Sequence, residues 1–309
     1  MIELLVDTDV GLGTPGAEID DGAALIMLLR APELLVRSLT TVHGNVALEA
    51  ATHNAHRLLV YLGREEISVG RGAERPLVQD PAWFQSWQAG YGPTPPWPGE
   101  GRPGTAASLI IDTVRARPGR ITLLALGPLT NLALALRQAP DIAGQVREVV
   151  AMGGSFDSAT PAAEFNIRCD PEAAQIVFSA GWPLRLLGLN VTRQVRFSRE
   201  NFARLPDDSP AVSLLKRQAP GWIDRVEAQG WEQGGCALHD AVAVAALLDE
   251  TLFDSASAAV TVELADPARR GQTLFKPAAE EQPTARVAVH VDAQRCHELI
   301  WWYLSQRET

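Results

Sequence analysis

Residues 4–22, LLVDTDVGLGTPGAEIDDG, decide how the rest of the chain is read. The apolar run 2–6 is short, β-tolerant and ends on polar residues, which predicts a buried strand. AALIMLL, at 23–29, has the density of a buried helix. Between them stand Asp7, Asp9, Asp20 and Asp21, with Glu18 beside them, all within fifteen residues. A helix N-terminus favours aspartate, and capping alone accounts for Asp20 and Asp21. It does not account for Asp7 and Asp9 at the strand end. Carboxylates folded towards one point repel unless a cation sits among them, and an all-oxygen set suits a hard cation such as calcium or magnesium.

Two other motifs share these letters. Gly11, Gly13 and Gly16 spell G-x-G-x-x-G after a strand, the dinucleotide fingerprint. That fingerprint needs an acidic residue ending the second strand, where this chain has TTVHGN (40–45), and it would bring a pyrophosphate up to four carboxylates. Asp7-Thr8-Asp9-Val10 resembles the D-x-D-x-V of haloacid-dehalogenase phosphatases, with Asp7 as nucleophile. Those enzymes need a downstream lysine, and Lys216 and Lys276, the only lysines here, lack a strand-end setting.

With 309 residues, 46% of them apolar, the chain has ample material for a core. Its net charge of −10 argues against nucleic acid and against an anionic membrane as partner. There is no signal-peptide pattern and no apolar run long enough to span a bilayer. Cys169, Cys236 and Cys296 are widely spaced with no C-x-x-C, which predicts a reducing, cytoplasmic setting and no structural zinc.

Strand and helix patterns then alternate. Strands are predicted at 35–42, 67–69, 121–126, 149–152 and 184–189, and helices at 47–62, 105–116, 128–137 and from Pro171 to a stop at Gly181, with Asp170 as N-cap. Residues 74–103 and 153–169 read as long irregular stretches. From 198 to 250 the pattern is helical, broken by GWEQGGC. Alternating strands at 258–264 and 285–291 form a hairpin before a last helix at 293–304. The expected fold is α/β: one doubly wound, Rossmann-like, mostly parallel sheet flanked by helices, with an added helical section and a C-terminal hairpin, residues 1–309 forming one domain.

Such folds bind ligands beyond the carboxyl ends of their strands. There stand Asp7 and Asp9, then Asn45, Thr130 and Asn131, Glu164 and Asn166, and Asn190. Each alone has a plain structural explanation, as a turn residue, a helix start or a solvated carboxylate. Their convergence suits a ligand dense in hydroxyls, such as a sugar. His239-Asp240 opens the buried run AVAVAALL; Asp240 reads either as a helix cap or as another cation ligand, with His239 as a proton donor. His43 beside Gly44-Asn45 reads as a supporting group, and the other histidines as structural.

The chain resembles the inosine-uridine nucleoside hydrolases over nearly its whole length. The likeness rests on DTD…DDG, TTVHGNV…T-x-NA (40–55), LLALGPLTNLALAL (123–136), VAMGGSF…AAEFNIRCDPEAA (150–174) and HDAVAV (239–244). It implies a nucleoside hydrolase fold and hydrolysis of the N-glycosidic bond of ribonucleosides to free base and ribose. It implies Ca²⁺ held by Asp9, Asp21, Asp240 and the backbone carbonyl of Thr130, with Asp7 in support. Asp20, Asn45, Glu164 and Asn166 would bind the ribose hydroxyls, with Met152 packing in the pocket. Asp9 would be general base for a calcium-bound water attacking C1′, and His239 the leaving-group contact. A homodimer or homotetramer is implied as well.

The pattern departs from the family in four places. The usual D-x-D-P-G-x-D-D has three residues between its second and third aspartates; here residues 10–19 intervene, seven more, with Val10 in place of proline. Ser158 stands where relatives carry an asparagine that reaches the 5′-hydroxyl. Gln88-Ala89-Gly90 replaces a loop His-Gly, and Arg193 falls where a Thr-His pair is common. All bear on base preference and leave the calcium set intact. Trp83, Trp87, Trp97, Trp222 and Trp231 lie in stretches that would cover the pocket, where aromatic faces stack bases or simply pack.

Overall fold

The computed structural model describes residues 1–97, 105–157, 163–207, 209–278 and 282–306. Its strands are β1 (Ile2–Thr8), β2 (Leu34–Thr41), β3 (Ser68–Arg71), β4 (Ile121–Ala125), β5 (Glu148–Met152) and β6 (Leu184–Leu187), then β7 (Arg196–Phe197), β8 (Cys236–Ala237), β9 (Phe253–Val262), β10 (Thr273–Pro277) and β11 (Ala285–Val291). Nine of them form one sheet in the order β10-β9-β11-β6-β5-β4-β1-β2-β3, and β7 and β8 form a small antiparallel ribbon. From β3 across to β11 every pairing is parallel, and β9 and β10 add an antiparallel edge.

The apolar runs follow from burial on both faces of a parallel sheet. Successive side chains of β1 point to opposite faces, so Leu4 and Val6 enter one core and Leu5 the other. The first core takes the helices Asp20–Arg30, His239–Leu248 and Ala293–Ser305; the second takes Ala106–Ala116, Thr130–Gln138 and Pro171–Phe178. The chain leaves β1 for β2 on one side, while β4 lies on the other. This reversal opens a crevice at the carboxyl end of β1, where doubly wound sheets hold ligands.

Several boundaries differ from the sequence reading. β9 and β11 do pair antiparallel, but β11 also pairs parallel with β6, and the unexpected β10 forms the edge. The stretch 74–103 holds a helix, Ala82–Trp87, and 153–169 ends in another, Phe165–Cys169. Both are about a turn and a half long, too short to show a period. Asp170 caps its helix as expected, accepting from the Ala173 amide at 3.1 Å, but the helix stops at Phe178, before Gly181. Ser158 lies outside the described residues.

Candidate active site

The crevice is built from strand ends and helix starts. Asp7 is the last residue of β1 paired with β4 and is fully buried. Its Oδ1 accepts from Thr40 at 2.5 Å and from Asn131 Nδ2 at 2.7 Å. Asp9, two residues on, accepts through Oδ2 from the Asn45 amide at 2.6 Å. The approach is possible because Gly44 has no side chain: a Cβ there would strike the Asp9 carboxylate. Asp21 accepts from the Thr8 hydroxyl and, at 3.1 Å, from Asn45 Nδ2. Asp20 takes the Asp21 amide at 3.0 Å, and the Asp240 amide lies 3.4 Å from its second oxygen. Helices Asp20–Arg30 and His239–Leu248 thus present their first turns to each other.

Asp20, Asp21 and Asp240 each place a carboxylate oxygen within 4.8 Å of the other two. Burial raises their proton affinity: Asp20 is pushed up to about 8 and Asp21 to about 6, hydrogen bonds from Thr8 and Asn45 holding the latter down. Asp7 is pushed up to about 7, and Asp9 and Asp240 well above the carboxylate range, first by burial and then by their neighbours' charges. Among the described residues no arginine, lysine or histidine forms an ion pair with any of the five. Asp7 Oδ2, Asp9 Oδ1 and Asn45 Oδ1 are buried without a hydrogen-bond partner. Orphaned acceptor oxygens beside clustered carboxylates fit a hard divalent cation, which takes oxygen ligands only.

Above this floor lies a cavity of about 700 Å³. Of the residues singled out from sequence, Asp20, Asn45, Met152, Glu164, Asn166, His239 and Asp240 line it. Glu164 is locked by three backbone amides, those of Gly154, Asn166 and Ile167, at 2.9–3.1 Å. Asn166 Nδ2 donates to the Leu126 carbonyl at 2.7 Å. Asp7, Asp9 and Asp21 lie behind the wall. The Thr130 hydroxyl donates to Asp170 at 2.8 Å and Thr130, like Asp9 and Asp21, is not among the residues lining the cavity, whereas Leu126, just after β4, is. Thr130 is the first residue of the helix Thr130–Gln138.

His239 Nδ1 is 2.7 Å from the Thr192 hydroxyl, and Nε2 is 3.9 Å from Glu232 Oε1. Burial, with Arg193 and Arg196 nearby, pushes this histidine down to about 3, so it is a neutral imidazole. It can therefore offer an N–H, not a positive charge. His43 stacks on Phe84, 5.2 Å between centroids, away from the cavity.

Trp83, Trp87, Trp222 and Trp231 line the cavity, and Trp87 stacks on Trp231 at 4.4 Å with 5° between planes. Trp97 does not join them; it packs on Tyr61 and Arg57 in a separate cleft. Sequence reading passed over Glu232, Phe165 and Arg225 as wall residues. Phe165 stood inside the quoted AEFN, but nothing marks a lone Glu232 between two helices.

The chain is 33% identical over 290 residues to the pyrimidine-specific ribonucleoside hydrolase RihA of Citrobacter koseri, spanning 91% of this chain and 93% of that one. It is 36% identical to uridine nucleosidase 1 of Arabidopsis thaliana across 84% of this chain and 78% of that protein. The structure of a purine-preferring ribonucleoside hydrolase from Gardnerella vaginalis superposes with a TM-score of 0.85 at 28% identity, covering 98% of both chains. Residues 4–298 carry the family's sequence pattern from β1 to the last helix, and the chain belongs to the inosine-uridine preferring nucleoside hydrolase family.

Proposed function

We propose that the protein hydrolyses the N-glycosidic bond of ribonucleosides, releasing base and ribose, with a calcium ion held by Asp9, Asp21 and Asp240. The observation that carries this reading is the joining of the Asp20–Asp21–Asp240 cluster to a cavity also lined by Asn45, Glu164 and Asn166. Such a cation, when bound, supplies a charge that keeps the carboxylates ionised and a Lewis acid that lowers the pKa of water. Asp7 adds negative charge behind the site, within electrostatic reach of Asp21.

The protein's own groups do the rest. Asp20, Asn45, Glu164 and Asn166 bind the ribose hydroxyls, and their backbone ties hold them rigid, so little ordering is left for the moment of reaction. Asp9 Oδ1, free of hydrogen bonds, is the base that takes a proton from the attacking water. Nearby carboxylates stabilise the positive charge that develops on the ribose ring. His239 presents an N–H towards the departing base, and the aromatic wall excludes water around it.

The test is release of free base and ribose from inosine, adenosine, uridine and cytidine, with and without a chelator. Chelator-sensitive release of both products supports the reading; binding without release, with calcium present, sinks it. Residues 1–309 are taken as one domain, since a single sheet draws strands from residue 2 to residue 291. We take the enzyme as a cytoplasmic homodimer or homotetramer, in keeping with three buried free cysteines and an exposed Trp302, and light scattering measures its mass. Among the described residues no helix is long and apolar enough to cross a membrane.

A further inference from the structure

The segment 10–19, between the two pairs of aspartates, is not a slack loop. Val10, Leu12, Ala17 and Ile19 are buried, and its backbone is tied down from three directions. Asn54 Nδ2 donates to the carbonyls of Val10 and Gly11 at 3.1 and 3.2 Å and to the Thr14 hydroxyl at 3.0 Å. Arg57 donates to the Gly13 carbonyl at 3.2 Å, and the Gly13 amide donates to Gln218 at 2.9 Å. The Gly92 amide reaches the Pro15 carbonyl at 2.8 Å. Gly13 sits at φ +120°, and a Cβ there would collide with Asn54 and Arg57, so the clamp itself requires glycine.

The clamped segment delivers one acidic side chain, Glu18, to the wall of the cavity. Among the described residues nothing donates a hydrogen bond to its carboxylate and no cationic group pairs with it. The charges that face it, from Asp20, Asp21, Asp9 and Glu232, are all of its own sign. It is also within electrostatic reach of Tyr91, whose ring is covered by the Arg225 guanidinium at 4.6 Å. Arg225 in turn donates to the Trp87 carbonyl at 2.6 Å. Glu18 therefore stands between the carboxylate floor and the Tyr91–Arg225 pair beside the aromatic wall. Glu18 is half-buried on the cavity wall, and a carboxyl group there without a protein donor is free to accept a hydrogen bond from a ligand that displaces solvent.

We propose that Glu18 is a specificity-determining residue that accepts a hydrogen bond from an exocyclic amino group on the edge of the nucleobase, so that bases bearing an amino group are preferred. This rests on the reading of the cavity as a nucleoside site. A carboxyl group accepts through at least one oxygen whether or not it is protonated, so the assignment does not depend on its charge.

The experiment compares kcat/KM within pairs that differ at the amino position: guanosine and inosine, adenosine and purine riboside, cytidine and uridine. A chromogenic aryl riboside, which has no N–H donor, is the reference. The wild-type protein is expected to favour the amino-bearing member of at least one pair by about tenfold or more. Glu18→Ala should bring that ratio close to one, and Glu18→Gln, which keeps one acceptor oxygen, should give an intermediate ratio. Thermal melting shows that both variants are folded. The proposal is overturned if no pair shows a preference, if Glu18→Ala leaves the ratios unchanged, or if the aryl riboside loses as much as the amino-bearing nucleosides. The last outcome would move Glu18 to the ribose or the cation. Failure of the wild-type protein to cleave every substrate, the aryl riboside included, would overturn the hydrolase reading itself.

Discussion

The buried carboxylates make the metal-free protein sensitive to rising pH, and the effect can be sized from Asp7 alone. Asp7 is fully buried and pushed from 3.8 up to about 7. Between those values the folded protein keeps a proton that the unfolded chain has lost, so unfolding releases it and stability falls as pH rises. A shift of about 3 units corresponds to a full loss of about 4 kcal/mol at 1.36 kcal/mol per unit, of which roughly two-thirds falls between pH 5 and 8. An unfolding entropy of about 2.1 cal/mol/K per residue makes that loss a drop of about 4 °C in Tm. Asp20 and Asp21, pushed up to about 8 and about 6, add to the same trend over the same window. The assay is thermal melting of chelator-treated protein from pH 5 to 8, repeated with millimolar calcium. A cation among the carboxylates favours their ionised forms, and at a hundredfold excess over its Kd it adds about 2.7 kcal/mol. The decline with pH should therefore vanish or reverse when calcium is present. A chelated protein whose Tm stays level or rises from pH 5 to 8 would refute the reasoning, as would a decline that calcium leaves untouched.

Other consequences can be checked separately. Gly44→Ala places a methyl against the Asp9 carboxylate; turnover should fall at least a hundredfold and the calcium-dependent rise in Tm should shrink, whereas unchanged calcium stabilisation would mean that Asp9 is not engaged. Asn166→Ala removes the donor to the Leu126 carbonyl and should cost about 1–3 kcal/mol of stability as well as raising KM; loss of stability alone would leave Asn166 a structural residue. Trp87→Ala breaks the stack on Trp231 and should raise KM for nucleosides by about three- to tenfold while changing kcat less; an effect on kcat alone would argue against a binding role. Attack by one water predicts α-ribose as the first product of a β-nucleoside, visible by proton NMR before mutarotation, and initial β-ribose would imply a covalent intermediate.

Residues 4–22 alone disclosed the strand, the helix and the acidic cluster between them, because apolar runs and clustered carboxylates are local properties of the chain. The same local logic found the Asp170 cap and the polar residues at the strand ends. Family membership was legible for the same reason: motifs such as GPLTN and AEFN are contiguous strings. What the string did not carry was direction. Thr130 and Leu126 stand four residues apart, yet the hydroxyl of one donates to Asp170 and the other lines the cavity. Trp97 and Trp87 both lie in one Pro- and Trp-rich stretch, but only Trp87 reaches the pocket, since Tyr61 and Arg57 draw Trp97 into another cleft. Glu232 and His239 flank β8, where the Ala237 amide donates to Glu232, and a strand of two residues is too short to leave a pattern. The sequence by itself determined which chemical groups are present and the elements that carry them. Only tertiary structure decided which of those groups face one another, because that depends on contacts between residues far apart in the chain.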